Sequence, residues 1–415
     1  MIKFSTYYYP LLNALYAITL FMTTFHHKLG KGLLLITLLF AIVQHVKLPM
    51  LVIRLKEPLF IVMLTTLAYM TLSLIWTPDF HEGQGNVKNY LIYFILPIFT
   101  FSLISHKKQI HQLIKVFILA MFVNELISYS ILFGFFGGSA AFDGYPTPFI
   151  HHSLYSIFVI IALFIIGYEF IYTKKILHKF IYLFFLLTMS GNLVISGGRN
   201  GQVTLILVIF VFALNYFRHS YKKALLLLLG PLLVFFIAYQ TYDQFNDRLN
   251  KIYTDTEKVF LEQNYDTSFG NRLFSYILAE QYLKDYNYIR GEGAGSTRRI
   301  KNEIIDNNFS QAKQTARQYA HFHQYYISTL VQYGIIGLLL LLLFFYYLFK
   351  LKINNPEINY IRYVILLIMI FSNLSDGMMF TRSTMLIFAL FIGLILAQYH
   401  IEQKDTSLLK EEHNG

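Results

Sequence analysis

A chain of 415 residues that is 56% hydrophobic, 18% aromatic and only 14% charged holds more apolar side chains than one soluble core can cover. With no cysteine it has no disulfide, thiol nucleophile or Cys-ligated zinc. Its net charge of +11 is unevenly placed: residues 241–322 hold 11 Lys+Arg and 11 Asp+Glu, which leaves 23 against 12 elsewhere. That excess reads as positive loops against anionic lipid heads, not as a nucleic-acid surface.

A membrane span needs about 20 apolar residues. The first candidate, 8–25, follows Met1–Pro10 with one Lys and no small-residue cleavage site, and reads as a retained span. Further runs follow at 32–46, 58–76, 88–105, 114–136, 150–172, 180–197, 201–217 and 224–240. The two around Ser196–Gly201 are nearly fused. The polar stretch 241–322 comes next, with a helical run Phe269–Tyr286 carrying Leu273, Tyr276, Ile277 and Leu283 on its apolar positions. A turn at Gly291–Gly295 and a second run, Glu303–His321, complete it. Spans at 323–349, 360–376 and 382–399 precede a solvated tail from Glu402. The expected fold is an all-α polytopic membrane protein of about twelve transmembrane helices with one helical loop domain. Its divisions are 1–240, 241–322, 323–400 and 401–415.

Lys47, Arg54 and Lys56, then Lys107, Lys108 and Lys115, Lys174, Lys175 and Lys179, Arg218, Lys222 and Lys223, and Lys350, Lys352 and Arg362 fall on alternate loops. The positive-inside rule makes that face, with both termini, cytoplasmic and puts 241–322 outside; Lys28 and Lys31 break the pattern. Residues 77–87, with Asp79 and Glu82 and no Lys or Arg, suit the outer face. No internal repeat is visible, and the large loop follows the ninth span, which argues against a transporter of two matching halves.

Four groups fall near the outer ends of these spans. Arg199 lies in Ser196-Gly197-Gly198-Arg199-Asn200-Gly201 and Arg272 in Phe269-Gly270-Asn271-Arg272-Leu273. His323 opens the tenth span and Arg382, in Phe380-Thr381-Arg382-Ser383, the twelfth. A guanidinium stays charged and presents a planar fork of donors suited to phosphate oxygens. The glycines around Arg199 leave backbone N–H groups and a helix start open to the same anion. An imidazole, with an ordinary pKa of about 6.5, can take a proton from a sugar hydroxyl.

Each residue has a plainer reading as well. Arg199 and Arg382 serve as interfacial anchors, Arg272 as the ion-pair partner of Glu280 or Asp266, and His323 as a headgroup-level histidine. Glu125, after Asn124 in the fifth span, is an acid at depth, equally a functional group or a structural partner. His151 and His152 start the sixth span and face either the same cavity or lipid headgroups. Asp376 precedes Arg382 and reads as its orienting partner. No H-x-x-x-H with a carboxylate occurs, so no metal is expected. The glycine cluster 291–295 follows no strand and is not a dinucleotide loop.

Three segments then occur in one order: the Ser196-to-Arg199 hinge, the Arg272 helix with its Gly-rich turn, and His323-Gln324 followed by Gly334-Ile335-Ile336-Gly337 at the head of an apolar helix. Together with the late outer loop, they resemble the O-antigen ligase and polymerase superfamily over most of residues 180–400; the first 150 residues match only in being hydrophobic. Gly198 departs from the family, which often has Ser before the Arg, and His321 adds a second imidazole; spacing to Gly334 favours His323.

The resemblance implies a GT-C-like, metal-independent, inverting glycosyltransferase of the bacterial inner membrane with a periplasmic active face and no cofactor. Its donor would be a glycan on undecaprenyl pyrophosphate and its acceptor lipid A–core. Arg199 and Arg272 would hold the pyrophosphate and His323 would orient or deprotonate the acceptor. Arg382, His321, Gln324, Glu125, His152 and Asn200 are candidate substrate-binding residues, and Gly334 and Gly337 structural glycines. Polymerase, oligosaccharyltransferase onto protein, and flippase are the alternatives. The late loop and Thr381-Arg382-Ser383 look more like ligases.

Overall fold

The computed structural model describes residues 2–44, 56–135, 144–216, 221–262, 264–309 and 321–414. Its α-helices, in chain order, are α1 (Ile2–Thr23), α2 (His27–Gln44), α3 (Pro58–Leu72), α4 (Phe80–Tyr90), α5 (Leu96–Ser102), α6 (Lys107–Leu132), α7 (His152–Tyr172) and α8 (Ile176–Ile195). They continue as α9 (Arg199–Tyr216), α10 (Tyr221–Thr241), α11 (Asp243–Glu262), α12 (Ser268–Asp285), α13 (Thr297–Asn308), α14 (Tyr325–Lys350), α15 (Pro356–Ser375) and α16 (Arg382–Asn414). The predicted run Glu303–His321 is helical as far as Asn308; its part from 310 to 320 lies outside the described residues, as do Lys47, Arg54 and Arg218 of the orientation argument.

Among the described residues seven runs are long and apolar enough to cross a membrane. They are Pro58–Ile75, α6, α7, α8, α14, α15 and Arg382–Lys404, with shorter apolar helices at Arg199–Asn215 and Leu232–Thr241. The chain is a polytopic helical membrane protein.

Burial separates centre from rim. The apolar window of α16 is 83% buried and that of α7 67%, against 22% for α8. Helices apolar all round belong either inside a bundle or against lipid, and this chain uses both. At Gly393 the backbone of α16 comes so close to α5 that an added Cβ would lie 2.5 Å from Cβ of Phe101. Small residues at such crossings let helices meet by van der Waals contact where lipid offers no hydrophobic drive.

The structure departs from the sequence reading in several places, the fourth span and the tail among them. The predicted fourth span, 88–105, is α4, a π-helical turn Leu91–Ile95 and α5. Pro97 lacks an N–H and crowds the carbonyl a turn earlier, and a π turn absorbs that defect. The tail from Glu402 is no simple solvated end. Helix α16 runs on to Asn414, and the buried Glu402 carboxylate accepts the Asn354 and Asn355 N–H groups at 2.6 and 3.0 Å ahead of α15. Orphan N–H groups at a helix start are natural partners for a carboxylate. At the same end Arg362, also buried, donates to the last carbonyls of α14, Leu348 at 3.0 Å among them.

Candidate functional site

The site grows from the break between α8 and α9. Gly197 takes φ +69°, and a Cβ on Gly198 or Gly201 would fall 2.3 or 2.5 Å from Cβ of Ser156 in α7. These glycines therefore serve helix packing. The Gly201 N–H is already taken by Ser156 Oγ at 3.2 Å and that of Arg199 by Gly197 O at 3.1 Å, which corrects the expectation that they stay open for an anion. Asn200, next to Arg199, is a strut: Nδ2 donates to Ser372 O at 3.0 Å, while Oδ1 accepts from Ser375 Oγ at 2.9 Å and Thr204 Oγ1 at 3.2 Å.

The end of α15 anchors the second arginine too. Thr267 caps α12 by accepting the Gly270 N–H at 2.9 Å, and one turn on Arg272 Nε donates to Ser375 O at 2.9 Å. Glu280, one of the two partners expected for it, instead binds Lys284 at 2.7 Å. Two cavities meet at this arginine pair. A polar one of about 490 Å3 is lined by Arg199, Asn200, Arg272, His152, Lys251 and Asp255 among others. An apolar one of about 370 Å3 shares Arg199, Asn200 and Arg272 and continues over Val203, Ile206 and Phe235. The guanidinium groups thus stand on the boundary between a polar and an apolar space.

A third element brings the histidines. Helix α14 is broken at Gly334, with φ +63° and ψ −164°. Into that break fits the stretch 288–293: Ile335 N–H donates to Tyr288 O, Glu292 N–H to Val331 O and Gly293 N–H to Gln332 O, at 2.8–2.9 Å. Gln332 Oε1 also accepts from Gly295 N at 2.9 Å and Asn86 Nδ2 at 3.1 Å. The glycine run 291–295, expected as a plain turn, is therefore a docking strip, and the close neighbour of Gly334 is loop backbone, not another helix. A Cβ on Gly334 would lie 2.1 Å from Ile289 O. By pinning the chain between α12 and α13, this dock fixes Arg272 relative to the head of α14.

At that head Gln324 is the N-cap, its Oε1 accepting the Ile327 N–H at 2.5 Å, so the carbonyl oxygen is committed to the helix. His323 before it takes φ +49°. Such a left-handed residue other than glycine costs on the order of 1–3 kcal/mol and is commonest where a side chain must be aimed. His323 Nδ1 lies 4.0 Å from Asp376 Oδ1, and its ring stands 5.4 Å from and perpendicular to that of His321. Asp376, expected to orient Arg382, faces the histidines instead. Burial pushes His323 down to about 4, against the opposing pull of Asp376, with His321, Arg272 and Lys301 adding to the fall. His321 is lowered by burial as well. Lys301, on α13, is 2% exposed, and burial brings it down to about 8.

His152 lines the polar cavity as expected, packed on Tyr145 at 4.5 Å. Arg382, Glu125, Gln324, His321 and His323 line neither cavity, and His323 is tied to the arginine pair through its electrostatic interaction with Arg272. Arg382 donates to Asn89 Oδ1 at 3.2 Å and lies 5.9 Å over the Tyr93 ring. Glu125 is buried in α6 near Tyr129 and Tyr155. Lys301 and Asp255 carried no mark as site residues in the sequence reading. Asp255 had a signal: it shares a helix face with Ile252 and Val259, three before and four after it, an acid on an apolar stripe.

His321, His323 and Asp376 also bring one ligand atom each within 4.8 Å of one another, a set able to hold a metal ion. Helical His spacing, on which no metal is expected, does not reveal an H-x-H pair joined by a distant acid. Chemically, the whole arrangement offers fixed positive charge for a leaving anion and a neutral imidazole for a proton. Residues 184–342 match the family described as O-antigen ligase. No match is found among curated proteins.

Proposed function

From the O-antigen ligase family domain that residues 184–342 make up, we propose that the protein is a glycosyltransferase moving a glycan from undecaprenyl pyrophosphate to lipid A–core. The reaction runs on the periplasmic side of a bacterial inner membrane, spanned about twelve times with both termini cytoplasmic. The observation that carries this reading is the shared wall: Arg199 and Arg272 border both the polar and the apolar cavity. A lipid-linked pyrophosphate needs such a junction, with its anion at the guanidinium forks, its glycan on the polar side and its prenyl chain on the apolar side.

An acceptor hydroxyl oxygen attacks the anomeric carbon from the face opposite the pyrophosphate, and the new C–O bond forms with inversion. The bond from that carbon to the pyrophosphate oxygen breaks, its electron pair staying on the phosphate, where Arg199 and Arg272 stabilise the added charge. His323, neutral at working pH, takes the hydroxyl proton. Because pyrophosphate leaves readily, positioning and anion stabilisation suffice without a metal. Asn200 and Ser375 keep the two arginines in register.

The test is a deletion strain read on lipopolysaccharide gels. Loss of a ligase leaves bare core while lipid-linked polymer accumulates, and Arg199→Ala, Arg272→Ala and His323→Ala should each fail to restore capped core although inserted. Core bearing a single repeat would identify a polymerase instead. An unchanged gel would overturn both.

A further inference from the structure

The polar cavity contains a charge that anion binding does not explain. Asp255 lies on α11 in a wall that also carries Asp266 and is otherwise rich in cations, with Arg199, Arg272, Lys251 and Lys258 around the same space. It is 3% exposed, and its Oδ2 is buried without a hydrogen-bond partner. It is close enough to Arg199 for the two charges to interact. A carboxylate and a pyrophosphate sharing this space repel each other. A desolvated acceptor with an empty lone pair is itself unfavourable. Something that binds there must compensate.

A carboxylate can only accept hydrogen bonds, so its partner must bring O–H or N–H groups. At about 490 Å3 the cavity falls in the range of pockets that hold whole small molecules, well beyond a diphosphate. The space left beside the anion is where the first sugar of a lipid-linked glycan would lie. Resting on the donor reading above, we propose that Asp255 is a specificity residue that accepts hydroxyl or amide hydrogens from the first sugar of the donor. It selects a neutral, hydroxyl-bearing or N-acylated sugar and disfavours an acidic one, whose own carboxylate would meet Asp255 at close range.

The experiment compares two probes on the full chain in nanodiscs, undecaprenyl pyrophosphate alone and the lipid-linked glycan extracted from the strain that makes the protein. Asp255→Asn and Asp255→Ala should weaken binding of the glycan donor tenfold or more and raise its KM. Both should leave undecaprenyl pyrophosphate binding unchanged or tighter, because a negative charge has gone. A merely structural acid supporting Arg199 would weaken both probes alike, and that result, in both variants, overturns the proposal. Equal binding of both probes by wild type and variants overturns it too. If wild type binds neither probe, the donor reading itself has failed.

Discussion

His323 is held by opposing influences, and their signs can be measured. Burial favours the neutral ring and lowers its pKa to about 4, while Asp376 at 4.0 Å favours the charged ring. The imidazole therefore remains a competent base below the pH of about 6.5 at which a free histidine charges. Replacing Asp376 by Asn removes a carboxylate that raises the value. The acid limb of kcat/KM should then move to lower pH, with little change in rate near neutral pH, where the ring is uncharged in both proteins. A limb that stays in place or moves upward would show that Asp376 does not act on the base. Arg272→Lys tests the fork: a lysine keeps the charge but cannot both reach Ser375 O and grip two phosphate oxygens, so transfer should fall at least about tenfold. At this scale the sequence showed Arg199, Arg272 and His323 because charge beside long apolar runs is conspicuous. Asp376 was visible only as a neighbour of Arg382 and Asp255 only as an acid on an apolar stripe, and Lys301 was hidden, because their partners come from distant parts of the chain.

Among elements, the break in α14 carries the most consequence. Gly334 at φ +63° faces Ile289 and Gly291 so closely that any side chain must displace backbone. Gly334→Ala should cost about 1–3 kcal/mol and free the strip 288–295. Thermal unfolding in detergent should show a lower Tm, and limited proteolysis should cut first between α12 and α13. A variant as stable and as resistant as the parent would mean the dock is dispensable. The helices themselves were legible from hydropathy, since about 20 apolar residues leave few alternatives. Gly334 and Gly337 were legible only as structural glycines without a named neighbour. Which neighbour Gly334 meets depends on a hydrogen-bonded strip that no local pattern announces. The π turn before Pro97 was likewise invisible to a hydropathy count, which scores composition and ignores a missing N–H.

At the scale of the molecule, orientation and metal use are both open to direct test, and the absence of native cysteine makes the first simple. A membrane-impermeant maleimide should label Lys258→Cys in intact spheroplasts, and Lys352→Cys only after permeabilisation; both positions are exposed. Reversed labelling would invert the topology and remove the site from the periplasmic face. The cluster of His321, His323 and Asp376 makes chelation informative as well: transfer by purified protein should be unchanged by EDTA, and restoration by added divalent metal after loss would assign that cluster an ion. The most direct measurement is transfer by the purified protein in nanodiscs from undecaprenyl-pyrophosphate-linked glycan to lipid A–core, with Arg199→Ala and Arg272→Ala beside wild type. Wild type should yield capped core and free undecaprenyl pyrophosphate, and each variant should lose about 100-fold or more of that rate. Transfer at wild-type rate by both variants would contradict a pyrophosphate held between these two arginines.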